Sequence, residues 1–77
     1  MTMYESYVRQ RVENLKHVYS ALGNVKTALR ETAPHGRDYA DTASFDKARG
    51  VFDRRMEAIA RLQVEVTEEA KQLQRSI

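Results

Sequence analysis

A chain of 77 residues without cysteine has room for one small domain, and it has no disulfide or thiolate metal site to stabilise it. The formal charge is +2 with the two signs interleaved, whereas a dedicated nucleic-acid binder concentrates its cations on one face. No apolar run approaches the ~20 residues of a membrane-spanning helix, and the first residues lack a secretory-signal pattern. We therefore expect one cytoplasmic domain that is stabilised by a second chain.

The first predicted element is a long amphipathic helix at about 3–32. Thr2, with Glu5 three residues later, is its predicted N-cap. Apolar residues recur at steps of three and four, which is the α-helical period. Val18 and Val25 lie one residue off the main series and widen the stripe, as expected for a helix with more than one neighbour. The main series is Val8, Val12, Leu15, Tyr19 and Leu22.

A turn at 33–41 interrupts the helical pattern. Pro34 ends the first helix because its ring clashes with helical continuation and pushes the preceding residue out of the α region. Gly36 then supplies a permissive turn position. Four residues are candidate N-caps for the next helix, and we favour Asp41 or Thr42 as the cap. The four are Asp38, Asp41, Thr42 and Ser44.

The second predicted helix covers about 42–75. Its apolar series also steps by threes and fours: Phe45, Ala48, Phe52, Met56, Ile59, Leu62, Val66, Ala70, Leu73 and Ile77. Two long helices joined by about ten residues predict an all-α, antiparallel hairpin that forms a single domain over 1–77. If the chain folds back near Arg37, Leu22 lies opposite Phe52, and Gly23 is level with Gly50.

A two-helix hairpin cannot enclose apolar stripes this wide. The simplest solution is a second copy, because two hairpins packed face to face form a four-helix-bundle homodimer. We predict that ten residues form the dimer interface or core: Val8, Val12, Leu15, Tyr19, Leu22, Phe52, Met56, Ile59, Leu62 and Val66.

The four tyrosines are the other notable feature, because tyrosine combines a large apolar area with a polar tip and is favoured at interfaces. The pair near the start of helix 1 either covers the end of helix 2 or binds a partner. The turn is a structural corner first, and its polar residues are further candidates for contact. The predicted partner-binding residues are Tyr4, Tyr7, His35, Arg37 and Tyr39.

Catalytic and cofactor chemistry is not expected from this sequence. No acid, base and nucleophile set converges, no glycine-rich phosphate loop is present, and the two histidines lack metal-ligand spacing. We therefore predict no enzyme activity, no cofactor and no metal. The basic cluster is interrupted by Asp53 and Glu57, so a nucleic-acid-binding regulator is the weakest of the functional hypotheses. That cluster comprises Lys47, Arg49, Arg54, Arg55 and Arg61.

The turn reads A-P-H-G-R-D-Y from Ala33 to Tyr39, and the helix after it carries Phe45, Ala48, Phe52, Arg55, Leu62 and Val66. This segment resembles a group of small proteins encoded by tailed bacteriophages and prophages. In that group a similar turn precedes a helix patterned F-x-x-A-x-x-x-x-x-x-R. Ala40 stands where a second tyrosine is usual. The resemblance covers about half of the chain and implies a phage origin.

Size, charge balance, lack of cysteine and the hairpin are also similar to the short helical proteins in the early region of Mu-like Pseudomonas phages. One of these is a dimeric two-helix anti-activator that binds a LuxR-type quorum-sensing regulator and a type IV pilus assembly ATPase. This broader resemblance carries no residue motif. It implies a host-takeover protein that inhibits a host bacterial protein in the host cytoplasm. The alternative is a structural or assembly coiled-coil dimer of the phage programme.

Overall fold

The computed structural model describes residues 2–77 and contains two long α-helices. Helix α1 runs Met3–Arg30 and helix α2 runs Thr42–Arg75. The connection between them contains one short 3₁₀ helix at Gly36–Asp38. No strand occurs among residues 2–77. The predicted all-α helical hairpin is therefore confirmed, and α1 ends two residues before the expected boundary.

The last turn of α1 tightens before the proline. The backbone N–H groups of Glu31 and Thr32 donate to the carbonyl oxygens three residues earlier, at 3.2 and 2.9 Å. The Thr32 hydroxyl also donates to the carbonyl oxygen of Leu29 at 2.6 Å. These bonds to the third preceding residue replace the α-helical bonds to the fourth, and they satisfy carbonyl oxygens of the last turn. The helix therefore ends at Arg30 rather than immediately beside Pro34.

Side-chain caps begin both helices. The Thr2 hydroxyl oxygen accepts a hydrogen bond from the backbone N–H of Glu5 at 3.1 Å, which confirms the predicted cap of α1. The Asp41 carboxylate accepts one from the backbone N–H of Ser44 at 2.7 Å. Such bonds satisfy donors that have no partner within the first turn. Asp41 is therefore the cap of α2.

The Asp41 cap predicts a pH dependence at the start of α2. The hydrogen bond from the Ser44 backbone, supported by the Ser44 hydroxyl, holds the pKa of Asp41 below its ordinary value of 3.8. Because the folded pKa is the lower one, the cap stabilises the helix above the unfolded pKa, and this contribution is lost as pH falls through the folded value. We expect an NMR titration of the Asp41 carboxyl carbon to give a pKa below 3.8.

The control for this titration is Asp41→Asn, because asparagine caps a helix about as well but does not ionise in this range. Thermal unfolding of this variant between neutral and acidic pH should lack the part of the acid destabilisation that comes from Asp41. An Asp41 pKa at or above the ordinary value would contradict the assignment of the cap.

Two contacts fix how the helices align. The Arg11 guanidinium donates from Nε and Nη2 to Oε2 of Glu69, at 3.0 and 2.6 Å. Further along, a Cβ atom added at Gly23 would lie 3.7 Å from Nε2 of Gln63. As residue numbers rise along α1, the residues that face them on α2 fall. The helices are therefore antiparallel.

The predicted register is wrong. It placed Gly23 level with Gly50 and Leu22 opposite Phe52, but Gly23 faces Gln63, thirteen residues further along α2. A Cβ atom added at Gly50 would meet nothing within 4 Å. Thirteen helical residues correspond to ~20 Å along the axis. The two glycines therefore do not lie at the same level of the hairpin.

The connection explains this shift. It runs back along the first three turns of α2 instead of forming a symmetric corner at Arg37. The Tyr39 and Phe45 rings pack with their centroids 6.0 Å apart. Beside them is a cleft of about 370 Å³, here called the connection cleft, which is lined in part by Thr32, Pro34, Tyr39, Val51 and Phe52. The start of α2 therefore packs against the connection rather than against α1.

The hairpin is one helix thick and has a minimal core. Its dimensions are 62 × 17 × 10 Å, and the shortest is about the diameter of one helix. Among residues 2–77 only Val8 and Val12 are buried, at 6% and 4% exposed. The accessible surface is 5994 Å², whereas a compact monomer of this mass has about 4,800 Å². Most of the apolar stripe is therefore only partly covered by the hairpin.

Candidate interaction surface

Large exposed apolar residues concentrate on one side of the hairpin. Residues seven apart in a helix are separated by about two turns and share a face. On α1, Tyr4, Val18 and Val25 lie on the same line as Arg11, each at a seven-residue step. On α2, Leu62 lies seven residues before Glu69, which Arg11 contacts. The ion pair therefore places both lines on the same side of the hairpin.

We call this side the valine face and define it by its exposed residues Tyr4, Tyr7, Val18, Val25 and Leu62. Val18, Val25 and Leu62 are 45%, 50% and 46% exposed. Tyr7 precedes Arg11 by one turn and is also exposed. Exposed apolar surface of this kind marks protein-interaction sites in soluble proteins. The valine face is the main candidate surface.

The opposite side carries fewer large exposed apolar residues, among them Tyr19 and Val64. We call it the groove face and define it by a cleft of about 530 Å³ between the helices, which has Leu15, Tyr19, Val66 and Ala70 in its lining. Lys16 and Lys71 also line this cleft. Lys16 pairs with Glu13 on the same helix at 3.3 Å. The α1 flank of the groove face consists of polar residues: Arg9, Glu13, Lys16, Ser20 and Thr27.

The Arg11–Glu69 ion pair crosses the valine face. Its side chains keep 63% and 43% of their surface accessible, so water screens the attraction. Pairs of this kind contribute about 0.2–1 kcal/mol, and less as salt rises. The pair therefore helps to set the alignment of the helices and contributes little to the free energy of folding.

The predicted partner-binding residues lie at opposite ends of the hairpin. Tyr4 and Tyr7 lie in the first two turns of α1 and are exposed. His35 and Arg37 are exposed in the connection, and Tyr39 is half-buried there against Phe45. The long axis of the molecule measures 62 Å. One copy of the chain does not bring the two groups together.

The predicted core residues differ in how far the hairpin covers them. Val8 and Val12 are buried, whereas Tyr19 and Leu62 remain 47% and 46% exposed. The other six are partly covered: Leu15, Leu22, Phe52, Met56, Ile59 and Val66. A role for these residues in a dimer interface stays a prediction.

Two features of the surface were missed from the sequence. The connection cleft depends on the path of the connection, which no residue pattern specifies. Val64 is 60% exposed on the groove-face side of α2, where it shares a cleft with Tyr19 and Thr67. The seven-residue line through Arg11, Val18 and Val25 can be recognised in the sequence. The residues of α2 that lie beside this line are identified only by the ion pair between Arg11 and Glu69.

No group of three or more metal-ligand side chains that could hold an ion occurs between residues 2 and 77. Neither helix has, in its described residues, an apolar stretch long enough to cross a bilayer. Comparison with known proteins found no matching family model, no matching curated protein and no matching solved structure.

Proposed function

We propose that the chain is a small phage-encoded protein-interaction module that pairs with a second copy and binds and inhibits a host bacterial protein. The observation that carries the proposal is the open apolar surface. Among the described residues only Val8 and Val12 are buried, while Val18, Val25 and Leu62 remain about half exposed along one face. A surface of this kind is suited to binding other helices rather than to positioning a substrate.

The proposed place of action is the cytoplasm of the infected bacterium. The resemblance to phage host-takeover proteins supports a transcriptional regulator of quorum sensing or a pilus ATPase as the class of target. The exposed tyrosines Tyr4 and Tyr7 and the exposed connection residues His35 and Arg37 are the proposed contacts. Tyrosine and arginine are the residue types that contribute most to binding at such interfaces.

A second candidate is a structural role in phage assembly. The elongated shape, 62 Å long and one helix thick, favours it because rods of this kind pack side by side into coiled coils. Expression timing separates the two functions. Early expression in infection favours host inhibition, and late expression favours assembly.

The direct test is affinity capture from uninfected host lysate with the full chain as bait. We expect one host protein in stoichiometric amount, and we expect the double variant Tyr4→Ala with Arg37→Ala to lose it. Val64→Ala is the matched control, because it removes exposed apolar area from the opposite face. Purified target should then lose activity when the wild-type chain is added. Recovery of no stoichiometric protein, or equal recovery by all three baits, would overturn host inhibition.

A further inference from the structure

We infer that two copies pair through their valine faces in an antiparallel arrangement, with α1 against α1 and α2 against α2. This inference rests on the homodimer proposed above and assigns its face and register. It also assigns the composite surface at each end, where the tyrosines of one copy meet the connection of the other.

The accessible surface area of the hairpin favours a second copy as the occupant of the valine face. The hairpin exposes about 1,200 Å² more surface than a compact monomer of its mass. Covering that excess on each of two copies would bury ~2,400 Å² in total, which is the size of an obligate homodimer interface. The valine face carries more of the large exposed apolar side chains than the groove face does, and a second copy presents the same face.

Charge complementarity along α2 favours antiparallel pairing of the two copies. Arg55 lies seven residues before Leu62, on the line that Glu69 continues, and Glu65 lies on the same flank. On this flank Arg55 therefore precedes Leu62, and Glu65 and Glu69 follow it. An antiparallel copy of α2 reverses this order. Arg55 of each copy then faces Glu65 of the other, which favours pairing in this direction over a parallel one.

The register of the two α2 helices follows from contact between Arg55 and Glu65. In an antiparallel pair of α2 helices, Arg55 faces Glu65 when the two-fold axis crosses near Ala60, within two residues of the middle of Thr42–Arg75. The helices then overlap over nearly their full length. The Arg11–Glu69 and Gly23–Gln63 contacts place this level within about a turn of Leu22 on α1.

The same axis aligns the valines. Val18 and Val25 lie on either side of Ala21 and Leu22, so Val18 of one copy faces Val25 of the other. Stacking α1 on α2 of the second copy is the other two-fold arrangement. By the Arg11–Glu69 and Gly23–Gln63 contacts it would place Val25 at a level between the charged Arg55 and Arg61 of the second copy, which is why we infer the first arrangement.

Pairing at this register has a consequence at the ends. The first turns of α1 in one copy extend past Arg30 of the other and reach its connection. Tyr7 then lies over the connection cleft of the second copy, where an apolar ring with a polar tip fits the lining. Tyr4 lies near His35 and Arg37 of the second copy. The predicted partner-binding residues, which are separated in one hairpin, therefore form two composite surfaces in the dimer.

The test uses cysteine pairing, which the native chain allows because it has no cysteine. We expect a mixture of Val18→Cys and Val25→Cys chains to form a disulfide-linked dimer on mild oxidation, while each variant alone does not. Each chain in the mixture carries one cysteine, so any disulfide joins two copies. Ser20→Cys mixed with Thr27→Cys is the matched control on the groove face, and we expect it not to cross-link.

Each other outcome identifies a specific error. Cross-linking of Val18→Cys alone would overturn the antiparallel direction. Cross-linking only of the groove-face mixture would overturn the face, and efficient pairing of Val18→Cys with Leu62→Cys chains would overturn the stacking. A chain that stays monomeric by light scattering would overturn the homodimer itself, whereas the host-capture experiment tests inhibition independently of these results.

Charge reversal supplies a readout without cysteine. We expect Arg55→Glu and Glu65→Arg each to weaken dimerisation up to about tenfold, and the double variant to restore it. These residues are ~15 Å apart within one helix, so restoration requires contact between copies. Additive weakening in the double variant would overturn the assigned register.

Discussion

Val12→Asp should leave the chain largely unfolded. Val12 is 4% exposed and is one of two buried residues among those described, so an aspartate there would place an unpaired carboxylate at the centre of a very small core. An uncompensated buried charge costs about 3–5 kcal/mol, a large part of the stability of any small domain. Far-ultraviolet circular dichroism should show the loss of helix content.

The matched control for this substitution is Val64→Asp, which introduces the same side chain at a position that is 60% exposed. We expect it to keep the helix content and thermal midpoint close to those of the wild type. The Val12→Asp chain should regain helix as pH is lowered, because protonation removes the charge that cannot be buried. A Val12→Asp chain as stable as the control would show that the core lies elsewhere.

Thermal stability should depend on chain concentration. With two buried side chains among its described residues, the hairpin has little core of its own, so folding and pairing are expected to be coupled. Each tenfold rise in concentration should then stabilise the dimer by about 1.4 kcal/mol and raise the unfolding midpoint by several degrees. Unfolding followed by circular dichroism over about a hundredfold range of concentration measures this effect.

The double variant Val18→Asp with Val25→Asp should abolish the concentration dependence. These substitutions place four carboxylates in the paired valine faces of a dimer but remain solvated in a monomer, where the two positions are 45% and 50% exposed. We expect a monomer with lower helix content and a midpoint independent of concentration. A wild-type midpoint that does not change with concentration would show that the hairpin folds alone.

Local patterns were sufficient for the elements of this fold. Three-and-four spacing predicted both helices, and Pro34 placed the break between them. Thr2 and Asp41 were readable as caps because a capping side chain needs only a backbone donor within the next turn. Such interactions span three or four residues, so the sequence alone contains everything that they require.

The pairing of the helices was not readable in the same way. The path of the connection along α2 shifted the partner of Gly23 from Gly50 to Gln63. Helical periodicity repeats every few residues, so several registers bury similar apolar stripes. Only a specific contact, such as Arg11 with Glu69, distinguishes between them.

The sequence by itself therefore determined two amphipathic helices, their caps, their break and an apolar surface too wide for one hairpin. Tertiary structure decided which residues face each other. That pairing leaves the valine face open and places the candidate contact residues at opposite ends of the hairpin. The physical reason is the distance along the sequence over which each interaction acts. Hydrogen bonding and periodicity within a helix are local, whereas register depends on how an irregular connection packs, and that is settled only when distant residues meet.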